Sequence, residues 1–153
     1  MFTRWVLAPA IALALVFSPM VRNDQYDHLF QEHAPKGVDW RWLKAQAIAE
    51  SNLDRFAVSK AGAMGLVQFM PKTWDWIAGD DASPFSPKHA ITYQGKYMGY
   101  LLGRVGGDLD KALAAYNWGE GNVKEAGERW RDKMPAETRA YVGRVRRLFD
   151  DMG

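Results

Sequence analysis

One acidic side chain, Glu50, stands at the end of a helix-patterned run from Asp39 to Ser51. Trp40, Leu43, Ala47 and Glu50 recur at spacings of three and four, which places them on one face of a helix. A charged, solvated carboxylate is out of place on such an apolar stripe. Burial disfavours the ionised form, and a glutamic acid that keeps its proton near neutrality can work as a general acid. An ordinary Glu titrates near 4.3, so its surroundings must raise that value by roughly two units. The residues that follow could complete such a site. Gly62 and Gly65 permit a positive φ or a close backbone approach. Gln68 offers an amide donor and an acceptor, although taken alone it reads as a surface glutamine.

Asp54 lies four residues past Glu50, and a second carboxyl on the same face would suggest the paired-acid scheme of many glycosidases. The competing reading is a residue of the turn 52–61, since Asn and Asp commonly end or follow helices. That reading is the one adopted.

These groups must be held by helices. The other side of the Glu50 helix, Trp42, Ala45 and Ala49, is also apolar, so the helix is expected to be central and buried on most faces, with Asp39 as its cap. Asn23 or Asp24 is expected to cap a short helix through Tyr26, Leu29, Phe30 and His33, stopped by Pro35 and Gly37. Pro71 suits a first helical position, with Trp74, Ile77 and Ala78 packing behind it. Ser86 and Pro87 open a longer helix with Ile91, Gln94, Met98, Leu101, Leu102 and Val105 on one face. Tyr93, Tyr97 and Tyr100 recur along it as a half-buried packing stripe.

Asp108 caps a further apolar helix through Tyr116, and residues 118–121 read as a turn with a solvated Glu120. Pro135 starts a last helix that packs through Tyr141, Val142, Val145 and Leu148. No run alternates like a strand and no segment repeats, so the fold class is mainly α, a compact helical domain with little or no β structure.

Composition narrows the function. The 153 residues suffice for one domain. Two of the 20 Lys and Arg, Arg4 and Arg22, fall in the first segment, and the remaining 18 balance the 18 Asp and Glu. No concentrated basic footprint for nucleic acid remains; Arg139, Arg144, Arg146 and Arg147 read as a solvated helix face. There is no cysteine, and His28, His33 and His89 lack metal-ligand spacing, so neither a metal nor another cofactor is expected.

Residues 1–22 read as a signal peptide or an N-terminal membrane anchor. Seventeen uncharged residues separate Arg4 from Arg22, no Ala-x-Ala cleavage site occurs, and Pro19 follows the most plausible cut. Residues 23–153 would then form an exported domain in the periplasm or cell envelope.

Three ordered motifs carry a resemblance. Glu50-Ser51 with Ser59 beyond it, Gly62 through Gln68, and Ala115-Tyr116-Asn117 are similar to the soluble lytic transglycosylase catalytic domain of the lysozyme-like superfamily. Glu137 to Val142 resembles that family's Glu-Thr-x-x-Tyr-Val ending. The match runs from about Val38 to about Val145, with Val67 where Met is usual and Trp118 where a small residue is usual.

The resemblance implies cleavage of the β-1,4 bond between N-acetylmuramic acid and N-acetylglucosamine in peptidoglycan glycan strands, by a monomer. It implies Glu50 as single acid and base, with a 1,6-anhydro-muramyl product. Ser51, Ser59, Gln68, Tyr116 and Asn117 would orient the sugar and the acid. The alternatives are a hydrolytic lysozyme acting on the same bond and a catalytically silent glycan-binding module.

Overall fold

The computed structural model describes residues 24–153. Residues 1–22, and Asn23 as a helix cap, lie outside the described residues. The chain folds as helices α1 (Asp27–His33), α2 (Arg41–Ser51), α3 (Pro71–Ile77), α4 (Pro87–Arg104), α5 (Leu109–Trp118), α6 (Glu120–Ala126), α7 (Trp130–Lys133) and α8 (Ala136–Asp151). A short 3-10 turn, Gly127–Arg129, joins α6 to α7. Among the described residues β structure is limited to isolated bridges pairing Met64 with Val58 and with Phe69. The protein is mainly α, as its helical periodicity requires.

Local chemistry starts most helices where expected. Pro71 and Pro87 occupy first-turn positions, where a missing N–H costs nothing. The Ser86 hydroxyl accepts from the His89 N–H, and the Asp108 carboxylate accepts from the Lys111 N–H. Asp39 caps α2 from one residue further out: Trp40 is already helical, yet Asp39 Oδ1 accepts from the Arg41 N–H at 3.0 Å. Of the two expected caps of α1, Asp24 gives its backbone carbonyl to the Asp27 N–H, and among the described residues no side chain caps this helix.

Two corrections fall between Trp118 and Pro135. The expected turn at 118–121 is the end of α5 and the start of α6, joined through Gly119 at φ +104°. Glu120 is not free in solvent either: it accepts from Arg104 Nε at 2.6 Å and from the Tyr100 hydroxyl at 2.9 Å.

α2 lies between two apolar clusters. Ala45 and Ala49 belong to one, with Met98, Leu113, Ala115, Tyr141 and Val145 from α4, α5 and α8. Leu43 and Ala47 belong to the other, with Phe30, Leu66, Val67, Phe69, Trp74 and Ile91. A helix with apolar residues all round has to be enclosed in this way. Trp42 stacks on Phe149 of α8 with ring centroids 4.0 Å apart, and the buried Lys44 pairs with Asp27 of α1. The position of Glu50 is therefore fixed from three sides. α8 is anchored in turn by Arg146, which with Arg131 holds the buried Asp110 at 2.6 and 3.2 Å.

Candidate active site

α2 ends one residue after Glu50. Asn52 and Leu53 both take positive φ, 55° and 63°, so the chain turns away and Asp54 does not continue the helical face. Its carboxylate accepts from the Phe56 N–H at 2.9 Å, the geometry of a turn residue. Asn can keep that acceptor, so Asp54→Asn is expected to leave folding and activity essentially unchanged, measured by thermal melting and turnover.

Glu50 itself is half-buried. Burial pushes its carboxyl up from 4.5 to about 8, opposed by a hydrogen bond from Tyr141 and by the charge of Arg144. Tyr116 and Tyr141 are raised well above the usual tyrosine value by their own burial and then by the Glu50 charge, so both stay neutral hydroxyls. An acid that holds its proton near pH 7 and sits beside a hydroxyl donor has the properties of a proton donor. Once ionised it is partly stabilised where it stands.

The Gly-rich loop packs beneath the end of α2. Gly62, Gly65 and Gln68 all take positive φ, at 89°, 73° and 53°. At Gly65 a Cβ would lie 2.1 Å from the Pro84 carbonyl oxygen, so that position requires glycine for space as well as for φ.

Four of the five expected contact residues hold this loop. Ser51 donates to the Leu66 carbonyl at 2.7 Å, and Tyr116 donates to the adjacent Val67 carbonyl at 2.7 Å. Ser59 accepts from the Ala63 N–H at 2.9 Å. Gln68 Nε2 donates to the Ala57 and Gly65 carbonyls at 3.2 and 3.0 Å. Among the described residues, the Gln68 amide oxygen and the whole Asn117 amide make no hydrogen bond. The structure thus brings Ser51 and Tyr116 onto consecutive carbonyls of one strap beside Glu50. Ser59 sits at the outer end of the loop, and Asn117 follows Tyr116 on α5.

Deleting either strap hydrogen bond should cost about 1 kcal/mol, and more if the carbonyl is left unpaired. Ser51→Ala and Tyr116→Phe are each expected to lower stability by that amount, read as a lower denaturation midpoint.

Beyond Tyr116 an aromatic shelf continues. Its ring lies 5.4 Å from Tyr97, which contacts Trp76 at 6.1 Å and stacks parallel to Tyr100 at 6.2 Å. Trp76 is 60% exposed. The tyrosine stripe therefore packs at Tyr97 and reaches solvent at Tyr100.

Sequence reasoning placed Tyr141 among packing residues and Gln46 nowhere. Tyr141 faces Glu50 and opposes the upward shift of its carboxyl, and Gln46 donates to the Tyr141 hydroxyl at 3.2 Å. The available signal was polarity: a hydroxyl and two amides, Gln46 and Gln94, interrupt apolar faces of three different helices.

The fold is a lysozyme-like helical domain in which one half-buried acid, Glu50, lies beside a Gly-rich strap. Residues 27–138 match the family model described as the transglycosylase SLT domain. The chain belongs to that family. It is 36% identical over 112 residues to membrane-bound lytic murein transglycosylase F 1 of Alkalilimnicola ehrlichii, covering 69% of this chain and 22% of that protein. It is 36% identical over 104 residues to peptidoglycan transglycosylase gp16 of Escherichia phage T7, covering 64% of this chain and 8% of the relative. The chain thus spans less than a quarter of the length of these relatives.

Among solved structures, the 70 kDa soluble lytic transglycosylase Slt70 from Escherichia coli superposes with TM-score 0.70 at 28% identity, over 81% of this chain and 23% of that one. A complex of the 70 kDa soluble lytic transglycosylase with bulgecin A superposes with TM-score 0.74 at 25% identity, over 83% of this chain and 24% of that one. Among the described residues no helix is long and apolar enough to cross a membrane.

Proposed function

We propose that this chain is a peptidoglycan lytic transglycosylase that cleaves the β-1,4 bond between N-acetylmuramic acid and N-acetylglucosamine. The observation that carries the reading is the Glu50 carboxyl, pushed up to about 8 by burial and influenced by Tyr141 and Arg144, with no second carboxylate acting on it among the described residues. Membership of the transglycosylase SLT family and the names of the relatives support the substrate.

In this mechanism Glu50 gives its proton to the glycosidic oxygen as the bond from that oxygen to the muramyl C1 breaks. The ionised Glu50 then accepts the proton of the muramyl C6 hydroxyl, whose oxygen bonds to C1 and closes the 1,6-anhydro ring. The substrate supplies its own nucleophile, so one carboxyl serves as acid and then as base. Ser51, Ser59 and Tyr116 orient the strap and the acid. Gln68 and Asn117, which retain hydrogen-bonding capacity, contact the sugar.

Residues 23–153 are the catalytic domain in this reading. Residues 1–22 are a signal peptide or membrane anchor that directs it to the periplasm or envelope, where it acts as a monomer on glycan strands.

Digestion of purified peptidoglycan by the chain, followed by mass measurement of the fragments, tests this. Fragments lacking one water relative to the hydrolytic product are expected. Hydrated reducing ends would show a lysozyme, and intact glycan bound without cleavage would show a binding module.

A further inference from the structure

Three buried amide and hydroxyl groups run from the first turn of α2 towards Glu50 at its other end. Gln94 of α4 donates from Nε2 to the Leu43 carbonyl at 2.9 Å and to Gln46 Oε1 at 2.9 Å. Gln46 of α2 donates from Nε2 to the Tyr141 hydroxyl at 3.2 Å and to Met98 Sδ at 3.6 Å. Tyr141 of α8 faces Glu50, where its hydroxyl favours the charged carboxylate. Gln46 and Gln94 are 1% and 0% exposed.

The direction of this chain follows from its fixed points. A backbone carbonyl only accepts, so the Gln94 atom beside Leu43 O must be the NH2 group. The second hydrogen of that group then faces Gln46, which must present its oxygen there. Gln46 consequently turns its NH2 towards Tyr141, and the Met98 sulfur, which cannot donate, agrees with that assignment. With a lone pair of the Tyr141 oxygen occupied by Gln46, its one proton is free to point at Glu50. A hydroxyl that accepts a hydrogen bond also becomes a stronger donor.

The arrangement has a cost: Gln94 Oε1 is buried without a partner. Two apolar side chains would avoid that penalty. A packing role alone gives no reason to carry it.

We infer that Gln46 and Gln94 are positioning residues that hold the Tyr141 hydroxyl as a one-way donor to Glu50, with the Leu43 carbonyl setting the polarity. The inference rests on the reading of Glu50 as the acid. In the reaction the relay moves no proton. It stabilises the carboxylate that forms when Glu50 protonates the leaving oxygen, and so makes Glu50 a better acid. Other groups facing Glu50 are Arg144 on α8 and Tyr116 on α5, and neither belongs to the relay.

The test compares Gln46→Leu, Gln94→Leu and the double variant with the unmodified chain. The readouts are the Glu50 carboxyl titration by carbon NMR, the pH profile of kcat and KM on glycan, and thermal melting. Each single variant is expected to move the Glu50 midpoint upward by about one pH unit and to lower kcat by about tenfold with KM unchanged. Gln94→Leu touches neither Tyr141 nor Glu50, yet it frees the Gln46 amide to turn its oxygen to Tyr141 and take the proton away from Glu50. The double variant has no buried orphan, so it is expected to melt at or above the unmodified chain while remaining slow. In a Tyr141→Phe background Gln46→Leu is expected to cause no further shift.

A double variant that regains full kcat and the original midpoint would overturn the relay, since the pair would then only pack. A Gln46→Leu shift that persists in the Tyr141→Phe background would overturn it too. Should Glu50→Gln retain cleavage, the acid reading fails, and the NMR midpoints still decide whether the relay acts on Glu50.

Discussion

Glu50→Gln is expected to abolish glycan cleavage, by more than about a thousandfold, while leaving a domain more stable than the unmodified one at alkaline pH. The amide has nearly the shape of the acid and can still meet the Tyr141 hydroxyl, but it carries no proton to give. The stability effect follows from linkage. The carboxyl titrates at about 8 in the fold against 4.5 ordinarily, so between those values the native state holds a proton that the unfolded chain has lost. Stability is then fully present below about pH 4.5 and is lost as pH rises through 8. A tenfold difference in proton affinity between the folded and unfolded states corresponds to about 1.4 kcal/mol. Because Glu50 is only half-buried, solvent screening reduces the total, and the expected loss is a few kcal/mol. Denaturant melts of both proteins at pH 5 and pH 9 should show a gap that is small at the lower pH and much wider at the higher. Equal midpoints at both pH values would mean that Glu50 is solvated.

Gly95→Ala is expected to be the most damaging single change away from the acid. A Cβ at Gly95 in α4 would lie 1.9 Å from the His33 carbonyl oxygen and 3.0 Å from its carbon, at the end of α1. Backbone cannot swing aside as a long side chain can, so α1 must move as a unit. Moving it strains the contacts that tie it down, including the Asp27 pairing with Lys44 and the hydrogen bond between His33 and Thr92 at 3.1 Å. Overpacking of this kind costs about 1–3 kcal/mol, sometimes more. Gly103 on the same helix is exposed, and a Cβ added there would meet nothing within 4 Å. Gly103→Ala should therefore stabilise by up to about 1 kcal/mol through helix propensity. Chemical denaturation of the two variants would show opposite shifts; equal shifts would mean that α1 and α4 do not approach closely.

The helices that position the acid were legible because their signals are local. Periodicity marked α2 and α4, and Pro71, Ser86, Asp108 and Pro135 marked four starts. α6 was missed because residues 118–121 read as a turn, whereas Gly119 turns the chain and lets a new helix begin at once. Glu50 was legible because an acid on an apolar stripe needs a reason. Ser51, Ser59, Gln68 and Tyr116 were legible as a set through their motifs, but their hydrogen bonds to the loop backbone were not. Those partners lie up to 49 residues away, as Val67 does from Tyr116. The Gln94–Gln46–Tyr141 contacts bridge separations of 48 and 95 residues, and no local pattern reports a pairing made only by the packing of α2, α4 and α8.

The central claim is that the Glu50 proton is the one used in catalysis. The direct measurement is the carbon NMR titration of the Glu50 carboxyl, set beside the pH profile of kcat/KM on glycan with the same protein. A midpoint near 8 is predicted, with activity falling as pH rises through that same value because the free enzyme loses its acid. A Glu50 midpoint near the ordinary 4.5, with activity sustained above it, would contradict the account.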